Sequence, residues 1–338
     1  MFSKSVIFPN GSKINFYGTE SLMESIDKSF PFIEEFPPQE IINETTFVYR
    51  GRIKEEDVKV PSNAEKIKGF AGPTYYCWKE GNTICSYSPK EERRGSHLVR
   101  HNNKLFKIYL HCNEKEDIIC RVARDVVMGD MLKQGYFPIH AGVVGDKDGA
   151  DIIFGRKGSG KSTAIFSSVL YGGYTPISGD IAFVKPEKKG KWTVLGWPWR
   201  MSIDENYLNL VGKKSNEEYK ERGKYRYLPK DFCDEFHSKW IWKAEIKHLV
   251  KADLNADARP VMQKVTPAEM LQYLASEGSD QWFWGDSLRI GIKEPEYHYK
   301  ALAGSIEGRR LTGDIIQYYR NKGAEKTLII PQNNSYGK

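Results

Sequence analysis

The chain has 338 residues, 40% hydrophobic and 28% charged, with 51 Lys and Arg against 44 Asp and Glu for a formal charge of +7. That length predicts two domains, or one large domain with an appended lobe. Interspersed charge does not imply bulk nucleic-acid binding, no apolar run is long enough to cross a bilayer and the amino end lacks a secretory pattern, so a cytoplasmic protein without membrane contact is expected.

Residues 1–115 read as short alternating segments, at 5–8, 13–17, 46–50, 83–87 and 105–110, broken by Asn10-Gly11, Pro37-Pro38 and Gly81-Asn82. The pattern predicts a β-rich amino lobe. Five cysteines, Cys77, Cys85, Cys112, Cys120 and Cys233, include no C-x-x-C pair, which argues for reduced thiols rather than zinc or a disulfide framework. Between 116 and 135 the period changes: Ile118, Ile119, Val122, Val126, Val127 and Met131 fall near one helical face, with Gly135 placed to end it. This helix is read as a connection to a core spanning 136–330, with 331–338 as a tail.

The core opens with an apolar run over 137–144, a turn at 146–149 and a second run, Asp151-Ile152-Ile153-Phe154. Two consecutive strands predict a hairpin, and hence a mixed sheet rather than a purely parallel one. The fold class expected is α/β of the α+β kind. Directly after the second strand comes Gly155-Arg156-Lys157-Gly158-Ser159-Gly160-Lys161-Ser162-Thr163, the phosphate-binding pattern G-x-x-x-x-G-K-[ST]. The apolar positions Ala164, Ile165, Phe166, Val169 and Leu170 then repeat at helical spacing until Gly172-Gly173. Strand, loop and helix are the context this pattern needs. Gly155, Gly158 and Gly160 let backbone N–H groups approach phosphate oxygens, Lys161 neutralises β/γ charge and Ser162 can bind Mg²⁺.

Asp180 lies inside a strand-like run eighteen residues past Ser162, so it needs a partner. It reads either as a metal ligand or base beside a γ-phosphate, or as a turn aspartate capping a loop. His140 reads either as a core histidine or as a donor or proton relay near the same phosphate. Lys and Arg concentrate at 185–191 and at 213–230, where Tyr219, Tyr225 and Tyr227 interleave. Such a segment is a solvated loop or a grip for an acidic peptide or nucleic-acid strand. Farther on, 244–252 is strand-like, and Thr266-Pro267-Ala268-Glu269 is a capping box for a helix through Leu274. Arg259, Arg289, Arg309 and Arg310 are further candidates to meet transferring charge, and Thr312 or Asp314 can start a last helix.

Taken together, His140 in Ile139-His140-Ala141-Gly142, the loop 155–163 and Gly179-Asp180 resemble the HPr kinase/phosphorylase and PEP-carboxykinase group of phosphate-loop proteins. The likeness covers roughly 137–195. Gly179 stands where that group carries its first acid, and Gly196-Trp197-Pro198-Trp199-Arg200 is similar to a Pro-Arg turn of such kinases, which makes Arg200 a candidate phosphate contact. No Glu-Ile-Arg-Gly-Leu-Gly-Ile run is present, so the chain is more similar to monofunctional relatives that phosphorylate a serine, including those encoded beside peptide natural-product precursors.

The resemblance implies an ATP- and Mg²⁺-dependent kinase acting on a serine of a peptide or protein, with Lys161 and the loop on the phosphates and Ser162 and Asp180 on the metal. Asp180, His140, Lys161 and Arg200 would act on the reacting groups, the amino lobe would select the acceptor, and a homo-oligomer is expected by analogy. Two other readings are a nucleotide-gated binding protein and a PEP-carboxykinase-like enzyme of a small acid. No Leu-Ser-Gly-Gly-Gln, His-Arg-Asp or Asp-Phe-Gly run occurs, which argues against an ABC-type ATPase and a protein-kinase architecture.

Overall fold

The structure, a computed structural model, describes residues 1–30, 40–68, 74–89, 96–102, 104–197, 200–213, 217–221, 223–278 and 295–328. Pro37-Pro38, Pro198-Trp199, Arg289 and the tail 331–338 lie outside them. The chain forms two compact units, Met1–Phe137 with Asp280–Pro295, and Pro138–Ser279 with Glu296–Lys338.

In the first unit the strands are β1 (Phe2–Ile7), β2 (Ser12–Gly18), β3 (Asn43–Ile53), β4 (Glu65–Lys68), β5 (Thr74–Glu80), β6 (Thr83–Ser88), β7 (His97–His101) and β8 (Leu105–His111). They form one sheet in the order β1-β2-β3-β8-β7-β6-β5-β4. β1 and β2 make a hairpin about Asn10-Gly11, where Gly11 has φ +81°. β2 and β3 run parallel, which requires a crossover. Helix α1 (Glu20–Ser29) supplies it, a helix that the alternating pattern did not predict. Thr19 caps it by accepting from the Leu22 amide at 3.2 Å, while Leu22 and Ile26, one turn apart, face the core.

The predicted helix is α2 (Asp117–Lys133), with Ile118, Ile119, Val122, Val126, Val127 and Met131 all buried. It packs within the first unit, against α1, β2 and β3. Two buried carboxylates fasten it there. Glu116 accepts from Thr19 Oγ1 at 3.0 Å and Ser21 Oγ at 2.5 Å, and Asp130 accepts from Ser12 Oγ at 3.2 Å and Asn43 Nδ2 at 2.6 Å. Satisfied acids of this kind specify one docking of the helix.

In the second unit the hairpin is β10 (Gly142–Asp146) with β11 (Gly149–Phe154), preceded by β9 (Phe137–His140). After α3 (Lys161–Leu170) come β12 (Thr175–Ser178), β13 (Ile181–Pro186) and β14 (Trp192–Gly196). A later strand, β18 (Lys243–Leu254), is the spine of the sheet. Its first residues pair antiparallel with β14, while the rest runs parallel to β11 on one side and to β20 (Glu307–Gly313) on the other. β19 (Val261–Val265) closes one side of this sheet against β20, and α6 (Pro267–Tyr273) and α7 (Pro295–Ser305) precede β20 in sequence. The sheet is mixed, as the hairpin predicts, and the protein has a mixed α/β architecture. Ile153, Val250 and Leu311 on adjacent strands form one core with Ile165 and Phe166 of α3 and with Ile315 and Tyr319 of α8 (Ile315–Leu328).

The Lys- and Tyr-rich segment is neither a solvated loop nor an aromatic grip. β15 (Met201–Asp204), β16 (Lys220–Glu221) and β17 (Lys224–Tyr227) form a small antiparallel sheet, with α4 (Glu205–Leu210) following β15 and α5 (Pro229–Glu235) following β17. Tyr225 and Tyr227 are fully buried in the core, and the alternating Lys224 and Arg226 lie on the other face of the strand. Period-two alternation had been masked by the density of charge. Asp314, rather than Thr312, starts the last helix, since its carboxylate accepts from the Gln317 amide at 3.0 Å and Thr312 lies within β20. Both halves of the Thr266/Glu269 capping box are formed, and α6 runs to Tyr273 before a π-helical turn, Leu274–Gly278.

At Gly196 on β14, an ideal Cβ would lie 2.0 Å from the Ile177 carbonyl oxygen of β12. Backbone cannot retreat as a side-chain tip can. Gly196→Ala should therefore lower stability by about 2–4 kcal/mol, read as a lower urea midpoint at unchanged slope.

Candidate functional site

The phosphate loop joins β11 to α3 at the carboxyl end of a strand. Gly158 and Gly160 take left-handed conformations, φ +85° and +87°, and Gly160 caps α3. A Cβ at Gly160 would also lie 2.7 Å from Leu254 Cβ and 2.8 Å from Ile315 Cδ1. Only glycine satisfies both demands. The loop is tied down by the Leu254 amide, which donates to the Ser159 carbonyl at 2.9 Å, and by the Ser159 amide, which donates to the Arg156 carbonyl at 3.0 Å. Arg156 and Lys157 are exposed on its crest, whereas Lys161, Ser162 and Thr163 are partly buried in the first turn of α3. Helix start, left-handed glycines and a buried Ser159 hydroxyl without a hydrogen-bond partner among the described residues together fit a polyphosphate.

Three of the predicted side chains meet. Lys161 Nζ is 2.6 Å from His140 Nε2 and 3.6 Å from Asp180 Oδ1, and His140 Nε2 is 3.0 Å from the same oxygen. Strand pairing brings them together: His140 ends β9, Asp180 sits on the turn leading into β13, and β9 lies beside β13. The turn itself is tight, with the Ser178 hydroxyl donating to the Ile181 carbonyl. Forty residues separate His140 from Asp180 in sequence.

The geometry holds a conflict of protons. Nε2 is one site, a donor when protonated and an acceptor when not. As a donor it satisfies Asp180 and meets the Lys161 ammonium unfavourably; as an acceptor it satisfies Lys161 and faces the Asp180 oxygen with a lone pair. An anion that draws the ammonium away would leave Nε2–H to Asp180. Asp180 remains 42% exposed. Burial works to raise its pKa, but the His140 hydrogen bond and then the Lys161 and His140 charges outweigh it, holding the carboxyl below the ordinary aspartate value.

Arg200 immediately precedes β15, and its backbone lies beside the Asp180 turn: an ideal Cβ at Gly179 would sit 3.3 Å from the Arg200 carbonyl oxygen and 2.6 Å from Met201 Sδ. Met201 therefore occupies the space that an acid at position 179 would use, leaving Asp180 as the carboxylate of this turn. Of the other candidate arginines, those among the described residues have partners elsewhere. Arg309 pairs with Glu307 at 2.6 Å, Arg310 pairs with Asp253, and the Arg259 carbonyl packs at Gly313. No group of three or more His, Cys, Asp or Glu side chains able to hold a metal occurs among the described residues. No disulfide joins the five cysteines; Cys77, Cys85 and Cys120 are buried, as expected, whereas Cys112 is exposed and Cys233 half-buried, and no described helix is long and apolar enough to cross a membrane.

Sequence reasoning missed Lys251 and Glu277, which flank the loop at its other end. One signal was present: a lysine within the apolar run 244–252 needs a partner as much as Asp180 does.

No protein-family model matches the chain, and no curated protein does. Among solved structures, the Hpr(Ser) kinase/phosphatase from Coxiella burnetii aligns over 57% of this chain and 97% of that chain, at 10% identity and a TM-score of 0.28. A likeness that low carries no argument about the chemistry.

Because the Asp180 pKa is lowered on folding, its charge favours the folded state above the ordinary aspartate range, and that contribution is lost as pH falls through the lowered value. The difference in urea stability between wild type and Asp180→Asn should accordingly narrow as pH drops below about 4. A difference that grows on acidification would contradict the assignment.

Proposed function

We propose that this chain is an ATP- and Mg²⁺-dependent kinase that transfers the γ-phosphoryl group to a hydroxyl, in the first place a serine of a peptide or protein, natural-product precursor peptides included. One observation carries the reading: the lysine of a complete phosphate loop converges with a histidine and an ionised aspartate. Lys161 and the loop amides would hold the β- and γ-phosphates. Ser162 and Asp180 would hold Mg²⁺, which when bound neutralises charge on the phosphate oxygens.

Asp180 is in addition the group suited to take the acceptor proton. As its carboxylate accepts that proton, the hydroxyl oxygen bonds to the γ-phosphorus and the phosphorus–oxygen bond to ADP breaks. With the phosphates bound, His140 would steady Asp180 by donating Nε2–H to it, and the proton taken up by Asp180 would pass to solvent. Arg200, whose backbone abuts the turn, would meet charge on the transferring group. The first unit would select the acceptor.

Incubation with γ-labelled ATP, Mg²⁺ and candidate serine peptides tests the reading, with label appearing on the peptide as the expected result. Lys161→Ala should weaken nucleotide binding and abolish transfer. Asp180→Asn should keep nucleotide affinity within about threefold yet lose at least about a hundredfold in kcat. Tight binding of ATP by the wild-type chain with no transfer to any acceptor would favour the nucleotide-gated binding protein instead.

A further inference from the structure

A second charged cluster lies against the phosphate loop, on the sheet face opposite α3. Lys251 on β18 is in register with Phe154, the last residue before the loop, and with Arg310 on β20. Its neighbour Val250 points into the α3 core, so alternation turns Lys251 to the other face. There Lys251 is only 5% exposed, and a buried ammonium demands a counter-charge. Glu277 supplies one, with Oε1 at 3.3 Å from Nζ, and the Tyr273 ring lies 5.2 Å from the same ammonium.

The other oxygen of that carboxylate does something different. Glu277 Oε2 accepts from the backbone N–H of Arg156, the second residue of the phosphate loop, at 2.8 Å and across 121 positions of sequence. Arg156 is exposed, so water would satisfy its amide without help. The glutamate is largely buried, 16% exposed, and its burial has a cost that a mere need to pair Arg156 does not explain. It also rides on a firm platform. The Thr266/Glu269 capping box starts α6, Met270 is fully buried beside Gly308 of β20, and the π-helical turn Leu274–Gly278 then offsets Glu277 toward the loop. With the Leu254-to-Ser159 bond, this clamps the loop at residues 156 and 159.

We propose that Glu277 is a positioning residue for nucleotide: it sets the first turn of the phosphate loop in its binding shape before the polyphosphate arrives, and Lys251 holds Glu277 in place. The proposal rests on the phosphate-loop reading above, while its consequence for the loop can be read without turnover. One carboxylate thereby serves as counter-ion and clamp.

The full-length chain carries the test, as Glu277→Ala, Glu277→Gln and the double variant Glu277→Gln/Lys251→Met. The double variant keeps an acceptor oxygen for the Arg156 amide and removes the buried charge that would otherwise be stranded. Glu277→Ala should speed amide exchange at Arg156 about tenfold and raise KM for Mg·ATP about tenfold, with kcat within about twofold. The double variant should return both quantities to within about threefold of wild type. Glu277→Gln should keep the Arg156 protection and lower the melting temperature, which Lys251→Met then restores. Unchanged exchange at Arg156 in Glu277→Ala would overturn the proposal, as would a loss confined to kcat, or a double variant that melts like wild type yet binds as poorly as Glu277→Ala. Should the wild-type chain transfer no phosphate, the kinase reading fails by itself, and Arg156 exchange with calorimetric titration of Mg·ATP still decides the role of Glu277.

Discussion

The proposed chemistry depends on one imidazole nitrogen with two possible partners. His140 Nε2 lies within hydrogen-bond distance of both the Lys161 ammonium and the Asp180 carboxylate, and it cannot serve both. A site that awaits an anion gains a great deal, because a phosphate that takes the ammonium resolves the conflict, and resolution adds to its binding. The pKa of Asp180 is lowered despite burial that opposes it, which suits the proposed role of this carboxylate as a proton acceptor.

The surrounding fold can be understood as the means of bringing those three groups together. β18 joins the antiparallel and parallel parts of the sheet, β9 lies beside β13, and a hairpin rather than a helix leads into the phosphate loop. Met201 fills the space at Gly179, so that Asp180 stands as the carboxylate of its turn. In the proposed reaction a single acid would then serve where a pair would divide the work of holding a metal and taking a proton. The Glu277 clamp on the opposite face adds rigidity where the loop begins, while Gly160 gives it the left-handed turn where the helix starts.

Several parts of this arrangement were legible in the sequence because a local rule fixes them. The phosphate loop is set by glycine positions and by its flanks, the β10–β11 hairpin by two apolar runs around a short turn, and α6 by Thr266 and Glu269. Other parts depend on distant partners. Helix α1 carries only Leu22 and Ile26 as buried residues, and its need follows from the parallel pairing of β2 with β3, which no local pattern reveals. Tyr225 and Tyr227 belong to the core although interleaved with charge, because strand alternation turns them to the face opposite Lys224 and Arg226. Glu277 gave no signal, since its partner amide lies 121 residues away.

The most direct measurement of the central claim is the ¹⁵N chemical shift of His140 Nε2 with and without Mg·ATP. The account predicts that saturating nucleotide moves this resonance to the position of an Nε2–H donor as Lys161 turns to the phosphates, and that Lys161→Ala shows that position without nucleotide. A His140 resonance that stays unmoved while ATP demonstrably binds would contradict it.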